Sequence, residues 1–186
     1  VPWPVAQRVW LSRLKSVADY FLATEAIRQK ISTQSYLEIK GKLILADLDF
    51  TVTGTADRID LDENGDAWVY DYKTGVVPTG PIQQHFDRQL LIEAAMIEDG
   101  AFPDAGARTV KSAQYLGLGS SPKETPAPFK DVPIGQVFSD LRDIIMSFDQ
   151  ADQGYTSRAK MQKDSDPSYF DHLARHGEWD ATQSAK

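Results

Sequence analysis

Residues 54–75 read GTADRIDLDENGDAWVYDYKTG, and this stretch decides the fold. It reads as two strands joined by a hairpin turn, with Asp57 on the first strand and Asp71 and Lys73 on the second. Asn64-Gly65 is the commonest two-residue hairpin signal, because both residues accept the left-handed backbone that such a turn needs. Residues two apart on a strand share a face, so Asp71 and Lys73 project together while Tyr72 points away. Folding the Asp57 strand back on the Asp71 strand then places two carboxylates and an ammonium on one patch of sheet. Oxygen donors of this kind suit a hard divalent cation such as magnesium or manganese, and the lysine adds positive charge where an anionic substrate would sit. Asp60 lies three residues from Asp57 and faces the opposite way, and Asp62 belongs to the turn, where aspartate bonds locally. Both read as structural.

Working outward, Trp10, Leu14, Val17 and Phe21 recur at helical spacing, with Ala18 and Leu22 beside them. They predict an amphipathic packing helix over roughly residues 4–30. Residues 43–60 read as strand or strands, with Gly54 allowing a bend or bulge, and 67–73 as the next strand. Pro78, Gly80 and Pro81 mark a loop. Leu91, Ile92, Ala95 and Met96 predict a helix over about residues 83–98, ended by Asp99-Gly100, and 110–118 reads as a further strand. The proline-rich stretch 119–133 reads as a loop, and Val137, Leu141, Ile144, Ile145 and Phe148 predict another helix. The expected organisation is one domain over residues 1–186: an N-terminal helix (1–35), a core with the motifs (36–118), a loop (119–133), a helix (134–152) and a polar C-terminal tail (153–186). Strands followed by helices around a hairpin indicate an α/β or α+β sheet protein.

Composition narrows the function classes. A chain of 186 residues with 41% hydrophobic and 25% charged residues reads as globular, with no apolar run long enough for a bilayer. The opening VPWPVAQRVW does not resemble a secretory leader, so a cytoplasmic protein is expected, and a piece of a larger one. The absence of cysteine excludes disulfides and thiolate zinc sites. A net charge of -7 argues against strong autonomous binding to nucleic acid. Arg158, Lys160 and Lys163, bracketed by Tyr155 and Tyr169, form a modest basic cluster that reads either as a solvated loop or as a track for a phosphate backbone.

Three motifs occur in order: Gly54-Thr55-Ala56-Asp57, Asp71-Tyr72-Lys73-Thr74-Gly75, and Gln89 within RQLLIEAAM. They resemble the G-x-x-D, D-Y-K-T-G and helix-borne glutamine of the PD-(D/E)XK nucleases, and within them the RecB-like domains of AddB type found in bacterial helicase-nucleases that process double-strand breaks. Residues 10–25 and YFDHLARHGEW at 169–179 add to the likeness. The resemblance implies a restriction-endonuclease-like α/β core, a mixed central sheet flanked by helices. It implies a bacterial, divalent-metal-dependent deoxyribonuclease that uses Mg2+ or Mn2+, acts on a single-stranded DNA end and works with a helicase-nuclease partner subunit.

It also implies roles for residues. Asp57 and Asp71 would be side-chain metal ligands and the Tyr72 backbone carbonyl another; Lys73 would position or polarise the attacking water; Gln89 would contact DNA or a metal-held water. A further acidic ligand usually precedes the G-x-x-D strand, and Glu38 in SYLEIKGKL is the first candidate, Glu25 the second. The chain departs from the pattern in three places. Glu93 stands where Q-x-x-x-Y has its tyrosine, no G-x-x-x-H motif lies upstream (His85, His172 and His176 are elsewhere), and without cysteine there is no iron-sulfur staple. Two other readings stay open: a non-catalytic nuclease-fold scaffold that docks a helicase partner and guides DNA, and an unrelated β domain whose hairpin mimics the motif. Two carboxylates and a lysine on one face favour the enzyme, since a scaffold has no physical need of them.

Overall fold

Five strands lie side by side in chain order: β1 (Gln34–Leu45), β2 (Phe50–Leu61), β3 (Ala67–Lys73), β4 (Val110–Gly117) and β5 (Lys123–Pro126). All neighbours are antiparallel except β3 and β4, which run parallel. A parallel pair needs a crossover, and α2 (Gly80–His85) and α3 (Gln89–Glu98) supply it; α1 (Pro4–Ile31) precedes the sheet and α4 (Ile134–Phe148) follows it. The result is a mixed sheet flanked by helices, as a restriction-endonuclease-like fold requires. This computed structural model describes residues 3–154, 171–173, 175 and 178. The chain divides into two compact units, Val1–Phe138 and Ser139–Lys186, and the sheet lies wholly in the first. The Arg158, Lys160 and Lys163 cluster, with Tyr155 and Tyr169, lies outside the described residues.

The hairpin is built by Asp62. Its Oδ1 accepts from the backbone N–H of Asn64 and Asp66 at 2.9 and 3.0 Å, while Gly65 takes a φ of 78°. The turn is longer than the expected two residues, because β2 ends at Leu61 and β3 starts at Ala67, and Asp62 organises the excess. Asp62 therefore has the structural role that its position suggests. The strand predicted over 43–60 is two strands, and the first begins earlier, at Gln34.

Alternation on β3 separates two faces. Tyr70 and Tyr72 meet α1, whereas Val69, Asp71 and Lys73 lie on the side of α3. On the α1 side, Arg58 donates to Asp60 (2.8 and 2.6 Å), to Glu25 (2.9 and 2.8 Å) and to the Tyr72 hydroxyl (3.3 Å). Arg28 donates to Glu25 at 3.0 Å and to Glu124 on β5 at 2.7 Å, and both guanidinium groups lie over the Tyr70 ring. Asp60 thus turns away from Asp57, as strand periodicity demands. The predicted stripe on α1 is corrected in part: Val17 is buried, but Trp10, Leu14 and Leu22 are exposed, and the helix meets the sheet through Phe21, Glu25 and Arg28.

On the other side, α3 is buried from Leu90 to Ile97 except at Ile92. A helix apolar all round must be covered on more than one side. The central strands lie against one side, and the β1–β2 ribbon, which runs past β3, reaches its far end: a Cβ at Gly54 would lie 3.9 Å from Met96, and one at Gly41 would strike the Phe102 ring at 2.6 Å. The helix predicted over 83–98 is in fact broken at Phe86, whose φ of -131° leaves the helical region. The break lets Asp87 accept from the Tyr115 hydroxyl at 2.9 Å. The loop predicted over 119–133 holds β5; Pro126 is tolerated there because an edge strand can forgo an N–H.

Removing Arg58 would strand the Asp60 carboxylate under α1 and leave Glu25 with Arg28 alone. Arg58→Leu is expected to lower stability by about 3–5 kcal/mol, read from urea unfolding at neutral pH. A loss below 1 kcal/mol would mean that the network does not hold α1 to the sheet.

Candidate active site

β2 leaves β3 beyond the Arg58–Tyr70 pair, so Tyr72 has no ladder partner on that side. Asp57 takes the place of the missing backbone: its Oδ2 accepts from the Tyr72 N–H at 2.9 Å. This splaying puts the Asp57 carboxylate at the mouth of the sheet, close enough to Asp71 for the two charges to interact.

Asp71 is 2% exposed, in the middle of the central strand. Lys73 Nζ lies 2.9 Å from its Oδ2 as an ion pair, and Gln89 Nε2 donates to its Oδ1 at 2.5 Å. Burial nevertheless pushes the Asp71 carboxyl above the usual range, aided by Asp57 and opposed by Lys73 and Gln89. Lys73 Nζ also donates to Gln89 Oε1 at 3.0 Å and sits 5.1 Å from the Tyr115 ring centre, a cation–π distance. Tyr115 is in turn fixed by its bond to Asp87. Gln89 occupies the first turn of α3, and there it joins the helix to the strand.

The structure therefore brings Asp57, Asp71, Lys73 and Gln89 together. Glu38 occupies the register position facing Asp57, where its φ of 51° breaks the β1–β2 ladder, and it is exposed. Glu25, the second candidate, is held by the arginines on the other face. Among the described residues no three His, Cys, Asp or Glu side chains are grouped to hold a metal ion jointly. The donors that are present still fit a hard cation. Two adjacent carboxylates are available, Asp71 Oδ2 is buried with no directed hydrogen bond, and magnesium commonly takes only one or two carboxylates, keeping water and substrate oxygens in its other positions.

Sequence reasoning named Glu93 only as a departure from a tyrosine. It is a member of the cluster: 5% exposed, its Oε1 accepts from Gln89 Nε2 at 3.0 Å and its Oε2 is buried without a partner. Burial pushes its carboxyl up to about 7, with Asp71 and Asp57 adding to the rise and Gln89 and Lys73 opposing it. The available signal was an acid within the apolar run LLIEAAM. Tyr115 was missed because β4 reaches the site only through the parallel crossover.

The family model for the PD-(D/E)XK nuclease superfamily matches residues 2–183. Among proteins similar to this chain are one from Rickettsia typhi, 33% identical over 115 residues, and one from Rickettsia felis, 31% identical over 114 residues. Each alignment covers 60% of this chain and 13% of the relative. A Rickettsia bellii protein is 33% identical over 99 residues, 52% of the chain and 12% of its own length. All three are described as uncharacterized, and the chain spans a small fraction of each.

A raised carboxyl gives a signed pH effect. Between an unfolded value near 4.5 and a folded one of about 7, the native state binds more protons at Glu93 than the unfolded state does. Its contribution is then fully present below pH 4.5 and lost as the pH rises through 7. Relative to Glu93→Gln, the protein in chelator should lose about 3 kcal/mol of stability between pH 4.5 and 7.5. Parallel unfolding curves for the two proteins across that range would contradict the assignment.

Proposed function

Because the chain belongs to the PD-(D/E)XK nuclease superfamily, whose members are usually metal-dependent nucleases, we propose that its Asp57–Asp71–Lys73–Gln89 site hydrolyses phosphodiester bonds in single-stranded DNA. The observation that carries this reading is the bonding of Gln89 to both Asp71 and Lys73, with Asp57 alongside. These bonds also join α3 to β3, but apolar packing would close that face without burying charge.

Asp57 and Asp71, with the Tyr72 carbonyl, are the residues that would hold Mg2+ or Mn2+. A bound divalent ion supplies an acidified water and charge neutralisation on the phosphate. Lys73 orients the attacking water and stabilises negative charge developing on the phosphate oxygens. Gln89 holds Lys73 by its oxygen and Asp71 by its nitrogen, so the cationic and anionic groups keep a fixed separation before substrate arrives. We assign the chain to the nuclease part of an AddB-like helicase-nuclease in bacterial double-strand-break repair. Its charge of -7 supports dependence on a partner to hold the DNA. The second reading, a non-catalytic scaffold that guides DNA beside a helicase, draws on the lack, among the described residues, of three carboxylates grouped to hold a metal ion.

Labelled single-stranded DNA incubated with the chain and Mn2+ or Mg2+ separates the two. Cleavage by the wild type, abolished in Asp71→Asn and reduced on the order of a hundredfold in Lys73→Ala with folding retained, is expected. Equal rates in all three proteins would remove the site from the chemistry, and no cleavage by the wild type in either metal would favour the scaffold. In Ca2+, anisotropy with the same DNA should show weak binding at physiological salt; submicromolar affinity would mean that the chain carries its own DNA-binding surface.

A further inference from the structure

We propose that Glu93 is a positioning residue of this site: it fixes the Gln89 carboxamide in the one orientation that serves Asp71 and Lys73 at once. A carboxamide can turn by half a revolution at little steric cost, exchanging its oxygen and nitrogen. What decides between the two orientations is the set of groups that it faces. Here Oε1 accepts from the Lys73 ammonium at 3.0 Å, and Nε2 donates to Asp71 Oδ1 and to Glu93 Oε1 at 3.0 Å. Both amide hydrogens and the oxygen are used. Turning the group would set an NH2 against an ammonium and an oxygen against two carboxylates.

Asp71 alone supplies only one of the two acceptors. Without Glu93, one amide hydrogen would be buried unbonded, and the side chain would be free to leave Lys73 in search of a partner. Glu93 can act in this way because it lies one helical turn after Gln89 on α3, where side chains four apart meet. It is not placed as a third metal ligand, since no three carboxylates among the described residues are grouped to hold a metal ion jointly. Nor is it a packing device. A carboxyl with one buried oxygen bonded to nothing is a poor filler for an apolar helix, and an aliphatic side chain of similar volume would suit the core better.

That contrast yields a test with two independent readouts. Glu93→Leu and Glu93→Ala remove the acceptor with and without keeping the volume, and Glu93→Gln keeps an acceptor oxygen. The first readout does not involve activity: the side-chain 15N–1H2 signals of Gln89, assigned by their loss in Gln89→Met. In the wild type and Glu93→Gln both hydrogens should be protected from exchange; in Glu93→Leu and Glu93→Ala one should exchange rapidly. The second readout rests on the nuclease reading. Glu93→Leu should lower kcat about tenfold or more with KM for DNA nearly unchanged, Glu93→Gln should stay within about threefold of the wild type, and the Tm of Glu93→Leu should not fall.

Two protected hydrogens in both Glu93→Leu and Glu93→Ala would overturn the proposal. So would wild-type kcat in Glu93→Leu accompanied by a lower Tm, the signature of a purely structural residue, and so would a Glu93→Gln as impaired as Glu93→Leu. If the wild type itself cleaves nothing, the nuclease reading fails while the amide signals still decide the part played by Glu93.

Discussion

Asp71 is a carboxylate on the central strand of a sheet, paired with β4 where β2 has splayed away and lying under a helix, and there it can remain charged only with positive charge in reach. Lys73 supplies that charge because strand periodicity brings every second residue to the same face. The supply is short. Asp57, Asp71 and Glu93 act on one another, while Lys73 is the cation that they share. At an effective dielectric of about 20, two unit charges 4 Å apart interact by about 4 kcal/mol, so the surplus of acid has to be relieved. A proton on Glu93 is one relief, and its raised carboxyl shows the pressure toward it. A divalent cation beside Asp57 and Asp71 would be another. One charge imbalance thus accounts both for the shifted acids and for the suitability of the patch for metal.

The opposite face of the sheet shows what a balanced cluster looks like. Arg58 and Arg28 meet Asp60, Glu25 and Glu124, and the Arg58 guanidinium makes hydrogen bonds to two carboxylates and a phenol. Burial works against the Arg58 charge, and its hydrogen bonds to Asp60, Tyr72 and Glu25 outweigh it, raising the pKa. No side-chain atom of that network is left buried and unbonded, whereas on the α3 side Glu93 Oε2 has no hydrogen-bond partner and Asp71 Oδ2 has only its ion pair with Lys73. Satisfied networks hold elements together; unsatisfied ones hold capacity for a ligand. Tyr72 links the two faces, since its hydroxyl meets Arg58 while its backbone N–H holds Asp57.

What was legible beforehand follows the range of the interactions involved. The Asp71–Lys73 face, the hairpin and the direction of Asp60 depend on neighbours along one strand, and periodicity alone places them. The approach of Gln89 depended on a family pattern, because nothing local says that α3 returns over β3. The break between α2 and α3 was hidden, since Asp87 leaves the helix to meet Tyr115 on a strand that lies later in the chain. β5 was hidden by Pro126 and the prolines on either side of it, which read as loop residues unless the strand is known to lie at an edge. Glu38 looked like the upstream ligand by order along the chain, but a left-handed backbone takes that position out of the ladder. Glu93 was visible as an exception to a motif, and its meaning needed the third dimension.

The same local field bears on the order of events at the site. At physiological ionic strength charges are screened beyond about 8 Å, so an approaching phosphate responds less to the net charge of -7 than to the groups around Asp71. Those groups are three acids and one lysine, and Lys73 is already engaged by Asp71 and Gln89. If the site acts as proposed, a polyanion would meet a repulsive patch until a divalent cation reversed its sign. On the proposed reading, cation first and strand second is therefore the order that the electrostatics favour, and Gln89, bonded to both Asp71 and Lys73, would hold that ion pair in place while the cation position fills.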